Sequence, residues 1–384
     1  VAYYFQEYAL IKVFFNTLLA TFLCGFLLYI LSATRKEDLR TKDGFIITVL
    51  FWTVLSIFGS FPLIFAEEIN ISYIDALFES ISGLTTTGAT VLTGLDELPR
   101  SILFYRQLLQ WLGGMGIIVL AVAVLPLLGI GGMQLYKAET PGPLKDSKLT
   151  PRITETAKAL WYVYLTMTIL CASAYKFFGM TTYDAICHAF STVSIGGFST
   201  HDESFGFFTQ ASIRWTAVIF MVIAGINFGL HYIAWSKRSL LHYFYDSEVK
   251  AYFFILLTVF VLTFLTLGIY LEEPGTSLIQ ESAFQVVSIA TTTGFLTANY
   301  SNWPLFIPIL LLLTAFIGAC AGSTGGGIKV VRTLVLAKQS AGEITKLIHP
   351  NAVISIKLGK KAVSPRVAES VWGFFSIYVI VFII

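Results

Sequence analysis

The sequence predicts an all-α polytopic membrane protein built of repeated helix–loop–helix units, and three observations carry the prediction. Only 12% of the 384 residues are charged and 56% are apolar, whereas a soluble domain carries roughly a quarter charged. Apolar runs long enough to span a bilayer, about 20 residues each, recur along the chain with polar connections between them. Three of those connections carry one polar motif at matching offsets. A mean hydropathy of +0.76 and 15% aromatic content agree, since Trp and Tyr collect at membrane interfaces.

In chain order the full-length apolar runs are 13–32, 45–66, 102–129, 159–179, 215–235, 251–271 and 303–331. The first lacks a small-residue cleavage site and is followed by "TRKEDLRTK", so no cleavable signal peptide is expected. An eighth run opens at Val371 and reaches Ile384, 14 residues, too few for about 30 Å of hydrocarbon. The sequence therefore reads as a fragment that ends inside a helix. Cys24, Cys171, Cys187 and Cys320 show neither paired spacing nor a metal motif and read as small hydrophobes.

Positive charge sets the orientation. Connections 33–44 and 133–158, the stretch with Lys237, Arg238 and Lys250, and the last stretch from Lys329 to Arg366 hold 20 of the 25 basic residues. The alternate connections, 67–101, 180–213 and 272–302, contribute only Arg100, with Arg214 directly after the second. Odd-numbered spans are thus expected to run from outside to inside, with the three acid-bearing connections outside.

Aligned on a glycine, those three connections read "DALFESISGLTTTGA" (75–89), "DAICHAFSTVSIGGF" (184–198) and "ESAFQVVSIATTTGF" (281–295). Each has an acid 13 residues before the glycine (Asp75, Asp184, Glu281) and a serine six before it (Ser82, Ser191, Ser288). Each also has a hydroxyl three before it (Thr85, Ser194, Thr291). The glycines, Gly88, Gly197 and Gly294, are 109 and 97 residues apart. The repeat is helix, short re-entrant helix, polar loop, helix.

Non-helical backbone at membrane depth must be buried in protein or line water. An acid fits the N-terminus of a half-helix, where it opposes the positive dipole end. The other end is then partially negative and favours a cation nearby. Glycine adopts positive φ without steric cost and can turn successive carbonyls toward one axis, as a cation filter requires. Neutral hydroxyl and carbonyl oxygens suit a monovalent ion that must leave again, whereas tight Ca²⁺ sites use carboxylates. A lone Thr/Gly loop would ordinarily be small residues packing helices; three in register point to a selectivity filter. Its expected ion-binding residues are Thr86, Thr87 and Gly88, then Ile195, Gly196 and Gly197, then Thr292, Thr293 and Gly294. The units are accordingly helix–pore loop–helix around a central ion path.

The seventh run is interrupted by "GACAGSTGGG" (318–327), whose glycines cannot sustain a helix. It is no phosphate loop, because Ile328 separates Gly327 from Lys329 and no Ser or Thr follows the lysine. A kink packed against neighbouring helices is the plainer alternative.

The three loops, "WLGGMGIIVLAV" (111–122), "GGMQLYKAETPGPLKDSKLTPR" (131–152), "GGFSTHD" (196–202) and "GACAGSTGGGIKV" (318–330) resemble the TrkH branch of the Trk/Ktr potassium transporters over essentially the whole chain. The resemblance implies four K⁺-channel-like repeats around one ion path, with a filter glycine in each repeat and K⁺ as the transported ion. By position the filter glycines are Gly88, Gly197 and Gly294. It further implies a gate that obstructs the path beneath the filter, carried by Gly322, Ser323, Thr324, Gly325, Gly326, Gly327 and Lys329. Residues 1–44 correspond to a remnant of an N-terminal helix pair, 45–132, 133–240 and 241–340 to three repeats, and 341–384 to a connection and the first helix of a fourth. The rest of that fourth repeat is expected after Val371. Also implied are a bacterial inner-membrane location in contact with lipid, a homodimer and channel-like or symport flux. A cytosolic TrkA-type ring is implied as regulatory partner, binding ATP/ADP or NAD itself, so that no covalent cofactor is expected here. The closest alternative is a Na⁺-coupled or Na⁺-selective relative.

The second loop departs from the pattern, with Ile195 and Gly196 where the others have threonines, so hydroxyls cannot surround the ion evenly. Lys329 is expected either at the inner end of the gate, repelling K⁺, or as a snorkelling anchor. Acids of the outer connections (Glu67, Glu68, Asp96, Glu97, Asp202, Glu203, Glu272, Glu273) either concentrate cations or are solvated loop charges. Arg106 is expected to pair with a pore-helix acid or an interface group rather than bind substrate, and Asn227 and His231 to make interhelical hydrogen bonds. The basic inner connections fit anionic lipid or the ring. His188, His201, His231, His242 and His349 show no catalytic spacing, so no enzyme is expected, and no nucleic acid partner. Broken-helix secondary transporters commonly have inverted repeats, whereas these run parallel.

Overall fold

In the computed structural model the described residues are 1–32, 41–119, 153–270, 275–304, 306–352, 354–359 and 361–384. Apolar segments fold as helices because each satisfies its own backbone polar groups. The chain forms α1 (Tyr8–Ser32), α2 (Thr41–Ile64), α3 (Tyr73–Leu84), α4 (Arg100–Val119), α5 (Ile153–Phe177), α6 (Thr182–Ser194) and α7 (Ala211–Ala224). It continues with α8 (Phe228–Ser236), α9 (Leu241–Tyr245), α10 (Ser247–Tyr270), α11 (Gly275–Ala290), α12 (Phe306–Ile317), α13 (Val330–Ile348) and α14 (Pro365–Ile383). Between the last two, Lys357–Leu358 and Lys361–Ala362 pair as a two-residue antiparallel hairpin.

By length and composition α1, α5, α10 and α14 can cross a membrane. Large side chains such as Phe22 and Leu28 on α1, Phe254 and Leu257 on α10, and Ile377 and Val381 on α14 are exposed, which fits surfaces facing lipid. Of α2, Thr48–Ile64 forms a shorter apolar segment. Helix α4 has Arg106, Gln107 and Gln110 buried in its first half, and the apolar remainder of run 102–129 continues beyond the described residues. Most of the basic connections 33–44 and 133–158, and Glu272 and Glu273, also fall outside them.

Three expectations change. The run 215–235 is not one straight helix but α7 and α8, bent by 91°. Across the break, the Phe228 N–H donates to the Gly322 carbonyl (2.9 Å), and the Asn227 side chain caps the Gly229 N–H (2.8 Å). The seventh run is interrupted as expected, but α13 carries on past Val331 to Ile348. Arg332, Lys338 and Lys346 therefore ride on a helix. The eighth helix starts at Pro365 rather than Val371 and has 19 residues. Proline suits the first helical position, where its missing N–H costs nothing, and Arg366 and Glu369 lie in the first turns.

The helices expected to be re-entrant are α3, α6 and α11, of 12, 13 and 16 residues. Ser72 and Thr181 accept hydrogen bonds from the Asp75 and Asp184 N–H groups (3.2 and 3.1 Å), so the acid lies in a capped first turn in two repeats. In the third, α11 begins at Gly275, which leaves Glu281 in the helix interior; the expected terminal placement fails there. A buried cluster including Tyr175, Met221, Phe205, Phe284 and Phe295 joins the second and third repeats.

Candidate functional site

Each half-helix ends in the same backbone turn. The residue two before the glycine and the glycine itself both have positive φ: Thr86 (54°) and Gly88 (76°), Ile195 (55°) and Gly197 (82°), Thr292 (66°) and Gly294 (85°). Positive φ in a β-branched residue is an outlier that the surroundings must enforce, at about 1–3 kcal/mol each. Three such pairs at one offset make it a built feature. The serine six before the glycine receives the chain as it leaves the helix. Its carbonyl accepts from Thr87 N, Gly196 N and Thr293 N, each at 2.8 Å.

The loops touch in chain order, the first on the second and the second on the third. A Cβ on Gly88 would lie 2.0 Å from the Gly196 carbonyl oxygen, and one on Gly197 would lie 1.9 Å from the Thr293 carbonyl oxygen. Each glycine of the first two loops thus packs against the carbonyl just before the glycine of the next. Among the described residues, no atom beyond its chain neighbours lies within 4 Å of the corresponding position on Gly294.

What fastens the loops differs. Ser82 Oγ donates to the Ala89 carbonyl (2.6 Å) and Ser288 Oγ to the Phe295 carbonyl (2.7 Å). Ser191 Oγ is buried with no hydrogen-bond partner among the described residues. Gln110 of α4 takes over there, donating from Nε2 to the Gly196 carbonyl (2.6 Å) and accepting from the Phe198 N–H (3.1 Å). The Gly196 oxygen is therefore engaged by a side chain. Threonine hydroxyls pair at Thr85–Thr87 (2.7 Å) and Thr291–Thr293 (2.8 Å); Ser194 has only Gly196 at the matching place.

Helix α4 explains its glycines. A Cβ on Gly113 would meet the Leu84 carbonyl oxygen at 1.9 Å, and one on Gly114 would meet the Ser194 Cβ at 2.9 Å. The helix passes between the C-terminal ends of α3 and α6. Arg106 pairs with the buried Glu79 of α3 (3.1 Å) and lies 4.2 Å over the Phe198 ring, as expected of it.

The segment 318–329 lies against the second and third loops. Thr324 Oγ1 donates to the Val193 carbonyl at the end of α6 (3.0 Å), and Gly326 N–H to Thr292 Oγ1 (2.7 Å). Asn227 Nδ2 donates to the Ala321 carbonyl (2.6 Å), and the Cys320 N–H to the Gly225 carbonyl (2.9 Å). Glu248, which sequence reading passed over, accepts from the N–H groups of Ala321 (2.6 Å) and Val331 (3.2 Å). A carboxylate in the first turn of the long apolar α10 was its available signal. Lys329 turns its Nζ back onto the Gly325 carbonyl instead of snorkelling away. A cavity of about 450 Å³ is lined by Thr85, Thr86, Thr87 and Thr292 on one side and Thr324, Gly325, Gly326 and Gly327 on another, with Tyr378 and Phe382 of α14. Ser323 bonds back to the Cys320 carbonyl (2.6 Å), and the Gly322 carbonyl serves the α7–α8 break.

His231 is satisfied by Tyr243 Oη (2.8 Å) and the Ile223 carbonyl (2.9 Å). On the far side of the loops, His201 Nδ1 meets Asp96 Oδ1 at 2.5 Å and its Nε2 lies 3.5 Å from Asp184. Burial lowers the His201 pKa, but the bonds to Asp184 and Asp96 outweigh it and leave it raised. Burial works against ionised Asp96, yet His201 and the Asp202 N–H hold its pKa below the usual range. Among the described residues no group of three His, Cys, Asp or Glu could hold a metal. The site's chemistry is that of neutral oxygens around a shared space.

The TrkH family profile, described as a cation transport protein, matches residues 10–384. The Trk system potassium uptake protein TrkH of Halomonas elongata is 54% identical over 358 residues, 93% of this chain and 74% of that protein. The TrkH of Escherichia coli K12 is 53% identical over 374 residues, 97% of this chain and 77% of that protein. The crystal structure of the potassium transporter TrkH from Vibrio parahaemolyticus superposes with a TM-score of 0.88 at 50% identity, over 97% of this chain and 77% of that one.

Proposed function

Because the chain belongs to the TrkH family of cation transport proteins, we propose that it is a membrane transporter for potassium uptake whose ion path runs through the three glycine loops. The packing of Gly88 on Gly196 and of Gly197 on Thr293, each loop on the next, carries this reading. Loops ordered around one axis, each at the partially negative end of a half-helix, are how neutral oxygens replace the hydration shell of a monovalent cation. The filter residues would be Thr86, Thr87 and Gly88, Ile195 and Gly197, and Thr292, Thr293 and Gly294. Gly196 would shape the loop through its bond to Gln110.

In this reading residues 322–327 and Lys329 form the gate. Residues 324–327 share the 450 Å³ cavity with the filter threonines, and the Lys329 charge against Gly325 would repel a cation there. Opening would break the Thr324 and Gly326 bonds. The glycine loops would face the outside of a bacterial inner membrane. The basic residues of α13 and the hairpin would meet a cytosolic nucleotide-binding partner, with two copies of the transporter side by side.

Rb⁺ uptake into liposomes holding the full-length native protein, with K⁺ or Na⁺ as competitor, tests the filter. K⁺ should compete far better than Na⁺. Gly88→Ser and Gly197→Ser, which drive a Cβ into a carbonyl, should shrink that gap by about ten-fold or more, roughly 1.4 kcal/mol. Competition indifferent to the ion would favour a Na⁺-coupled or structural role; indifference to both glycines would remove the filter.

A further inference from the structure

The half-helices carry a second buried polar residue at a matched place, nine before the glycine: Glu79, His188 and Gln285. All three side chains are fully buried. They differ in chemistry, yet each reaches across to the chain two to four residues past its own glycine. Glu79 Oε1 accepts from Thr90 Oγ1 (2.5 Å), Val91 N (2.7 Å) and Leu92 N (3.3 Å). His188 Nε2 meets Ser199 Oγ at 2.9 Å. Its Nδ1 faces the Asp184 carbonyl (2.9 Å), so Nδ1 carries the proton and Nε2 accepts from the serine hydroxyl. Gln285 Nε2 donates to Thr297 Oγ1 (3.3 Å) and the Ala298 carbonyl (3.2 Å).

Offsets −13, −9 and −6 are i, i+4 and i+7 on a helix, one stripe along one face. The −9 and −6 side chains face the loop: the −6 serines of the first and third loops hold the carbonyl just past the glycine, and −9 takes the chain two to four residues past it. Without the −9 contact, the outer limb of a loop held in strained backbone has fewer bonds to keep its glycine and carbonyls in register.

Resting on the filter reading above, we infer that Glu79, His188 and Gln285 are positioning residues for ion selection, each fixing the outer limb of its own loop. One structural rule is met by a carboxylate, an imidazole and an amide. Glu79 also has Arg106 to neutralise, so its replacement would leave a buried charge; Gln285 is the cleaner probe.

The test is Rb⁺ uptake by the full-length native protein in liposomes, read as the ratio of Na⁺ to K⁺ concentrations that halve it. Gln285→Leu should lower that ratio about five-fold, as expected for one or two lost neutral hydrogen bonds, while uptake persists. Gln280→Leu is the control on the same helix. Its amide serves the Ala211 carbonyl (2.9 Å), away from the loop, and its ratio should stay at the parent value. Ser199→Ala removes the partner of His188 from the loop side and should lower the ratio too; it decides the matter if Gln285→Leu fails to fold. Gly294→Ser separates the two readings. If Gly294→Ser lowers the ratio while Gln285→Leu and Ser199→Ala keep the parent value, the filter stands and the positioning role falls. If Gly294→Ser keeps it as well, the filter itself falls. An equal drop in Gln280→Leu would mean general loosening and would also overturn the inference.

Discussion

At the scale of single residues, the gate contact to Thr324 is the simplest to isolate. Its Oγ1 links this segment to the end of α6, and the residue is buried. Thr324→Val keeps the shape and removes the bond, worth about 1 kcal/mol. In the gate reading this shifts a closed–open balance several-fold, so Rb⁺ flux should rise by about that factor with the K⁺-over-Na⁺ preference unchanged. A lower flux, or a changed preference, would place Thr324 outside the gate. Ile195 shows what side-chain identity hides. Neither a threonine nor a glycine, it adopts the same positive φ as Thr86 and Thr292, so the turn is imposed by the surroundings.

At the scale of elements, the repeats share a plan but not its fastenings. Ser82 and Ser288 each hold the carbonyl past their glycine, whereas Ser191 has no such partner. Ser288→Ala should destabilise by about 1 kcal/mol or more, because the carbonyl of buried Phe295 is left unmet, and Ser82→Ala by less, because Ala89 is exposed. Ser191→Ala should be nearly neutral, and Gln110→Leu should be the damaging change for the second loop. Thermal inactivation of Rb⁺ uptake across the four variants checks the order. The matched serines were plain in the sequence, but not which was idle, since the substitute comes from a helix 86 residues away in the chain. The break in α7–α8 was equally hidden. Gly225 and Asn227 were visible, but the Gly322 carbonyl that accepts from Phe228 arrives from a distant segment.

At the scale of the whole molecule, His201 ties the second repeat to Asp96 of the first. The His201 pKa is raised from 6.5, so its contribution is complete below 6.5 and fades as pH climbs through the higher folded value. Asp96 is lowered from 3.8, so its share is complete above 3.8 and fades only in stronger acid. The clasp should be strongest between those limits. Because Asp96 is half exposed, it is worth no more than about 1 kcal/mol. The parent protein should melt at a slightly higher temperature at pH 5.5 than at pH 8.5, and His201→Asn should remove the difference. A difference that persists in that variant would assign it to other groups.

By itself the sequence determined that the chain is helical and apolar, that it repeats a half-helix and loop three times, and where each glycine lies. Those properties follow from composition, from apolar run length and from a backbone that needs positive φ, all local matters. It also foretold the partner class of Arg106 and the interruption of the seventh run. Tertiary structure alone decided which loop packs on which, the oxygens that Gly88 and Gly197 make room for, the turn of Lys329 onto Gly325, and the contacts of the three unlike side chains at −9. The packing of loop on loop depends on atoms brought together from separate repeats, and within each repeat the −9 position can be filled by carboxylate, imidazole or amide provided its reach and polarity fit.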